Sequence, residues 1–190
     1  MEGIRERLAA SFLRFENRPV KVVALRDLRG LRLEGFTVGP YEEKREYDES
    51  LWVAEQLARE GYASIKPGES LDSNWLSKIH WTEMIQSAKQ LSSLPDGFYP
   101  KLGRYLAGLK AKTEEDPREL ARYEKSRQLA ADIVERRLRR ITMMASGPSV
   151  ANNVLRPLAE EERILYRSLK STIEQWRSAV LDLEHRGAEP

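Results

Sequence analysis

Leu94-Pro-Asp-Gly-Phe-Tyr-Pro-Lys-Leu-Gly-Arg-Tyr-Leu-Ala-Gly-Leu109 sets a chain breaker directly before an aromatic anchor and an apolar-striped helix. Pro95 cannot donate to a helical ladder and Gly97 suits a stop, so the pair ends whatever precedes it. Phe98, Leu102, Tyr105, Leu106 and Leu109 then recur on one face of a helix. The helical period continues outward on both sides. Upstream, Trp75, Leu76, Ile79, Ile85, Ala88 and Leu91 predict one helix, closed by Ser92-Ser-Leu-Pro-Asp-Gly97. Downstream, past a charged connector holding Asp116-Pro117, residues 119–145 read as the longest helix. Its expected inward face is Leu120, Tyr123, Leu129, Ile133, Val134, Leu138 and Ile141, with Arg136, Arg137, Arg139 and Arg140 beside or opposite it. Ser146-Gly-Pro-Ser149 breaks that helix. The last one starts near Glu160, where three consecutive glutamates favour the positive end of the dipole, and its stripe is Leu165, Leu169, Ile173, Trp176, Val180 and Leu183.

The N-terminal third has a different character. Ile4, Leu8, Phe12 and Phe15 predict a short helix that ends before Pro19. Val20-Lys-Val-Val-Ala-Leu25 reads as a strand, Asp27-Leu-Arg-Gly30 as a turn, and residues 31–38 as a second strand ending at Gly39-Pro40. Residues 41–48 supply a third, edge-like strand whose charges discourage unwanted pairing. Asp48 or Ser50 is placed to cap a helix with Leu51, Trp52, Ala54, Leu57 and Ala58 as its stripe, and Gly61 stands where a left-handed C-terminal residue is wanted. A last short strand follows at residues 62–66. The expected organisation is therefore mostly α with a small N-terminal α+β domain: an N-terminal helix at 1–16, a small β-rich domain at 17–66, a linker at 67–73 and a bundle-like helical domain at 74–186.

The 190 residues are 41% hydrophobic and 33% charged, with a mean hydropathy of −0.60. That is the profile of a folded protein with a charged surface rather than a disordered or membrane chain. No apolar run approaches the roughly 18 to 20 residues that cross a bilayer, and no secretory segment is read at the N-terminus, so a cytoplasmic location is expected. Zero cysteines rule out disulfides, thiolate metal sites and cysteine nucleophiles. The formal charge of +2 gives no large global field, so any nucleic-acid contact must come from a local patch. Residues 118–140 carry eight basic and four acidic residues and residues 41–60 seven acidic and three basic. Both read first as solvated faces, with the arginines at 136, 137, 139 and 140 as candidate phosphate contacts.

Catalytic motifs are absent from the sequence: it has neither a P-loop nor a Gly-x-Gly-x-x-Gly turn. His80 and His185 lie far apart, and neither has a second histidine at metal-binding helical spacing. His80 with Glu83, or Asp132 with Glu135, could line one helix face toward a metal, but ordinary hydrogen bonding and ion pairing are the better readings. We expect no catalytic residue, metal or cofactor. The tryptophans and the Phe98-Tyr99 pair read as core or as a face for partner helices, because Trp75, Leu76, Ile79 and Trp81 span more than one narrow stripe.

In this order the motifs resemble the GINS proteins of the archaeal and eukaryotic replicative helicase. Ser50-Leu-Trp-Val-Ala-Glu-Gln-Leu57 with Gly61-Tyr-Ala-Ser-Ile65 is similar to that family's β-rich domain. Leu94-Pro-Asp-Gly-Phe-Tyr99 looks like its Leu-Pro-x-x-Phe-Tyr motif, and Leu158-Ala-Glu-Glu-Glu-Arg-Ile-Leu-Tyr166 with Trp176-Arg resembles its closing helix. The order of domains, small one first, resembles one of the two archaeal subunit types. The helix at residues 1–16 precedes the expected start of the small domain, and Ser50 stands where the family often has proline.

This resemblance implies a non-catalytic scaffold, joined to a sister subunit in a hetero- or homotetramer. It further implies contact with the helicase ring and a RecJ-like partner, with primase or polymerase as further neighbours. DNA is contacted weakly or indirectly, and the chain is nucleoid-associated. The candidate subunit interface is Trp75, Ile79, Phe98, Tyr99, Leu102, Ile133, Leu169, Ile173, Trp176 and Val180. The alternative reading is a winged-helix-like DNA-binding regulator, with helix and wing in residues 51–65 and phosphates on the arginine cluster.

Overall fold

Valines alternate along residues 19–24, and burial follows that period of two: Val20, Val22 and Ala24 point inward while Lys21 is exposed. In the computed structural model, which describes residues 3–66, 73–85, 91–148 and 154–186, this segment is the centre of a three-stranded antiparallel sheet. The chain divides into two compact units, residues 9–70 and residues 1–8 with 71–190. The division falls inside the first helix, α1 (Ile4–Glu16). The expected linker at 67–73 lies outside the described residues except for Ser73.

In the smaller unit, β1 (Pro19–Ala24) is followed by β2 (Leu31–Leu33) and β3 (Phe36–Val38). β4 (Glu46–Ser50), α2 (Leu51–Arg59) and β5 (Ala63–Ile65) complete the unit. β4 and β5 flank β1, with Val22 opposite Tyr47 on one side and Ile65 on the other. The core is Phe15, the inward residues of β1, Val38, Tyr41, Ala63 and the buried side of α2.

Four local expectations change. Residues 31–38 are not one strand. They fold back as a two-stranded hairpin, with Leu33 opposite Phe36, because Gly35 at φ +92° closes a turn that the apolar alternation hides. The third strand begins at Glu46 rather than at residue 41, and it is an edge as expected. Neither proposed cap of α2 donates or accepts in that role: Ser50 occupies the position without a side-chain bond, and Asp48 pairs with Lys21. The α2 stripe also rotates, since Val53 is buried with Leu51, Ala54 and Leu57 whereas Trp52 is exposed.

The end of α2 follows the sequence closely. Gly61 adopts φ +73°, its N–H donates to Ala58 O at 3.2 Å, and Tyr62 N–H donates to Leu57 O at 2.8 Å. This is a Schellman stop, which satisfies the last carbonyls of the helix and turns the chain into β5.

The larger unit contains α3 (Ser73–Ile85), α4 (Phe98–Glu115), α5 (Glu119–Ser146) and α6 (Glu160–Arg186). Leu76, Phe98, Leu102, Ala130 and Ile133 form one buried layer. Ile141, Ala145, Leu158 and Tyr166 form a second. The face of α5 that turns inward is Ser126, Ala130, Ile133, Arg137, Arg140, Ile141 and Ala145. Leu120, Val134 and Leu138, read from the sequence as inward, are exposed. Ile85 of α3 is exposed too; Ala88, expected on the same stripe, lies outside the described residues, as does the side chain of Leu183.

Replacing Gly61 with alanine keeps the contacts of the stop but puts a Cβ on a left-handed residue. Chemical denaturation of the Gly61→Ala protein is expected to show a loss of about 1–2 kcal/mol from the small unit.

Candidate subunit interface and the buried ion-pair network

Two arginines of the expected basic patch are not on the surface. Arg137 is fully buried and Arg140 is 6% exposed, because the α5 stripe through Ala130, Ile133 and Ile141 passes through both. Arg137 Nε and Nη2 form a fork on the two carboxylate oxygens of Glu162, the Nη2 contact being 2.7 Å. Its Nη1 donates to Glu83 Oε1 and to Ser92 O, each at 2.9 Å. Arg140 Nη1 donates to the other oxygen of Glu83 at 2.6 Å.

The two acids are shared further. Ser92 Oγ donates to Glu83, Tyr99 O–H donates to Glu162 Oε1 at 2.7 Å, and Ala159 N–H donates to Glu162 Oε2 at 2.9 Å. The last bond is half of a capping box: the third residue of α6 reaches back to the amide just before the helix. Two guanidinium and two carboxylate groups therefore sit among buried neighbours with their charges cancelled, tying together α3, α4, α5, α6 and the segment before α4.

Burial by itself works to lower the Arg137 pKa, but the carboxylates of Glu162 and Glu83 outweigh it and hold the guanidinium above its usual range. Burial, reinforced by the Glu162 charge and hydrogen bond, pushes the Tyr99 phenol far up. In the small unit, burial and the Glu49 hydrogen bond do the same to Tyr41. The other two arginines of the cluster part company with this pair: Arg139 is exposed and bonded to Glu135 at 2.9 Å, and Arg136 is half-buried. The four do not make one phosphate-binding patch, since a guanidinium saturated by carboxylates in the core cannot reach DNA.

The expected interface residues also separate. Phe98, Leu102 and Ile133 are buried in the bundle's own core. Trp75 stacks on Phe98, with centroids 5.3 Å apart, and is half-buried, as are Ile79, Tyr99, Leu169 and Ile173. Trp176 and Val180 are open to solvent, Trp176 at 66%. Trp81, which the sequence set on a face for partner helices, is exposed on α3 with Ile85, and so are three residues that the sequence reading did not name: Met84 on α3, Met143 on α5 and Leu181 on α6.

The position of Trp176 and Val180 follows from how α6 lies on α5. Glu162 meets Arg137 near the start of α6, Lys170 Nζ donates to Gly147 O at 2.8 Å, and Arg177 Nη2 donates to Ser146 O at 2.7 Å. The two helices thus run in the same direction, and α6 overtakes α5 where the latter ends. The cations meet the negative end of the α5 dipole. From Glu174 to Leu181 every side chain of α6 is exposed. His80 Nε2 lies 3.3 Å from Asp132 Oδ2, the ordinary polar pairing expected of it.

Removing one partner of the network leaves the others charged in the core. Arg137→Ala is expected to destabilise the helical unit by roughly 3–5 kcal/mol, measured by denaturant unfolding, against less than about 1 kcal/mol for Arg139→Ala. Tyr99 has a raised folded-state pKa, so its contribution is fully present below the unfolded value of about 10 and is lost as pH rises above it. Stability should therefore fall on the alkaline side, and Tyr99→Phe should flatten that fall. Ultraviolet titration of the native protein should show Tyr99 and Tyr41 still un-ionised well above the ordinary phenol value of about 10.

No curated protein matches the chain. The family described as the GINS complex protein helical bundle domain matches residues 70–181. That span contains α3, α4 and α5, most of α6, and every member of the Arg137 network. It covers more than half of the sequence, and the chain belongs to the GINS complex protein family.

Proposed function

We propose that this protein is a non-catalytic scaffold subunit of a GINS complex, of the small-domain-first type, serving the replicative helicase in chromosomal DNA replication. The observation that carries the reading is the end of α6. Trp176 and Val180 continue the spacing of Tyr166, Leu169 and the half-buried Ile173, but beyond the end of α5 they have solvent in place of a neighbouring helix. An apolar seam with a spacing of three and four is what another helix packs against. Leaving a tryptophan in water forgoes on the order of 2 kcal/mol of burial, which a sister subunit recovers. Trp81, Met84 and Ile85 extend the apolar surface on α3.

The scaffold assembles as a hetero- or homotetramer and works with the helicase ring and a RecJ-like partner, with primase or polymerase as further contacts and DNA touched indirectly. Its place is the cytoplasm, at the nucleoid, and its origin archaeal. The residues proposed for the subunit interface are Trp176, Val180, Ile173 and Leu169, with Trp75 and Ile79 on α3. A winged-helix reading of residues 51–65 has little support: β5 is the edge of a three-stranded sheet, and α2 turns Trp52, Gln56, Arg59 and Glu60 outward.

Expressed alone, the protein should self-associate or dissolve poorly, while co-expression with a helical-domain-first sister should give a tetramer by light scattering. Trp176→Glu with Val180→Glu should abolish that assembly and leave the helical circular dichroism unchanged. A monodisperse monomer that ignores the sister subunit would overturn the proposal.

A further inference from the structure

Charge is segregated across the small unit. Lys21, Lys44, Arg45 and Lys66 each pair with an acid of the 42–48 stretch. Arg26, Arg29, Arg32 and Arg59 are exposed, and none of them is in an ion pair among the described residues. The large exposed apolar side chains of residues 17–66 are Leu25, Leu31, Phe36 and Trp52.

Geometry gathers the central members. The hairpin register places Leu31 and Phe36 on one face with the buried Val38. Phe36 meets Trp52 edge to face, with centroids 5.3 Å apart and planes at 77°. Along α2, Trp52, Gln56 and Arg59 line one exposed side. Arg26 reaches the end of that helix, its Nη2 lying 3.8 Å from where a Cβ on Gly61 would sit. An aromatic centre thus has a cationic margin, the composition of a protein-binding hot spot.

We propose that this surface takes an acidic segment of a partner protein. An aliphatic or aromatic side chain anchors against Phe36 and Trp52, and carboxylates meet Arg26 and Arg59. A single-stranded nucleic acid fits less well. The edge-to-face packing leaves no pair of parallel ring faces for successive bases, and the exposed Glu34 in the hairpin turn and Glu60 at the end of α2 oppose a run of phosphates. The site is independent of the α6 seam and goes beyond the scaffold reading.

The test is a random dodecapeptide display library panned on the full-length protein and counter-panned on Trp52→Ser, with oligo-dT as the competing probe. Enriched peptides should place Asp or Glu around Leu, Phe or Trp. A synthetic copy should lose about tenfold in affinity on Trp52→Ser, and as much on Arg26→Glu with Arg59→Glu, which keeps the aromatic pair. Circular dichroism should match the parent in both cases. No enrichment, enrichment of basic or uncharged peptides, binding indifferent to both variants, or oligo-dT held more tightly than the peptides would each overturn the proposal. Light scattering of the same variants with the sister subunit reads the α6 seam separately, so failure here leaves the scaffold reading standing.

Discussion

One guanidinium fixes how the helical domain is put together. Arg137 has all three nitrogens engaged, with Glu162 on one side and Glu83 on the other. Taking such ions out of water costs several kcal/mol each, and their attraction offsets this only when the geometry is good and the remaining lone pairs are filled. Here they are filled by Arg140, Ser92, Tyr99 and the Ala159 amide. The apolar layers around Phe98 and Ile141 tolerate small slips of one helix along another, since a methyl group packs about as well half a turn away. A bidentate fork tolerates none. The network therefore specifies the register of α3 and α6 on α5 more than it adds net stability.

This centre was the least legible part of the sequence. Four arginines in five residues look like surface charge, and their carboxylates lie 54 and 25 residues away in the chain. One signal was present: Arg137 and Arg140 share the three-and-four spacing of Ala130, Ile133 and Ile141, as Glu83 does with Leu76 and Ile79. The choice of Leu120, Val134 and Leu138 as the inward face of α5 went wrong for the same reason, since apolar character was taken as burial and charge as exposure. By contrast, element types and several boundaries were readable where local chemistry decides them. Gly61 ended α2, Pro95 and Gly97 preceded α4, and the three glutamates opened α6. The hairpin at residues 31–38 was hidden because both of its arms carry the alternation of a single strand.

The candidate surfaces were legible in part. Trp176 and Val180 were named on the stripe of the last helix and among the candidate interface residues, and they are exposed because α6 outruns α5. Phe98, Leu102 and Ile133 belong to stripes of the same appearance yet are enclosed by the chain's own helices. Periodicity identifies an apolar face, and only the relative length and offset of packed helices determines whether that face meets this chain or another.

The Arg7 guanidinium donates to Ser168 Oγ at 3.3 Å, joining the first turn of the chain to its last helix across 161 residues. A ribosome releases the beginning of this polypeptide long before the end. Until residue 162 has emerged, Arg137 lacks one of its two carboxylates, and its burial would strand a charge. The earlier helices of the larger unit are therefore expected to complete their packing only when α6 becomes available.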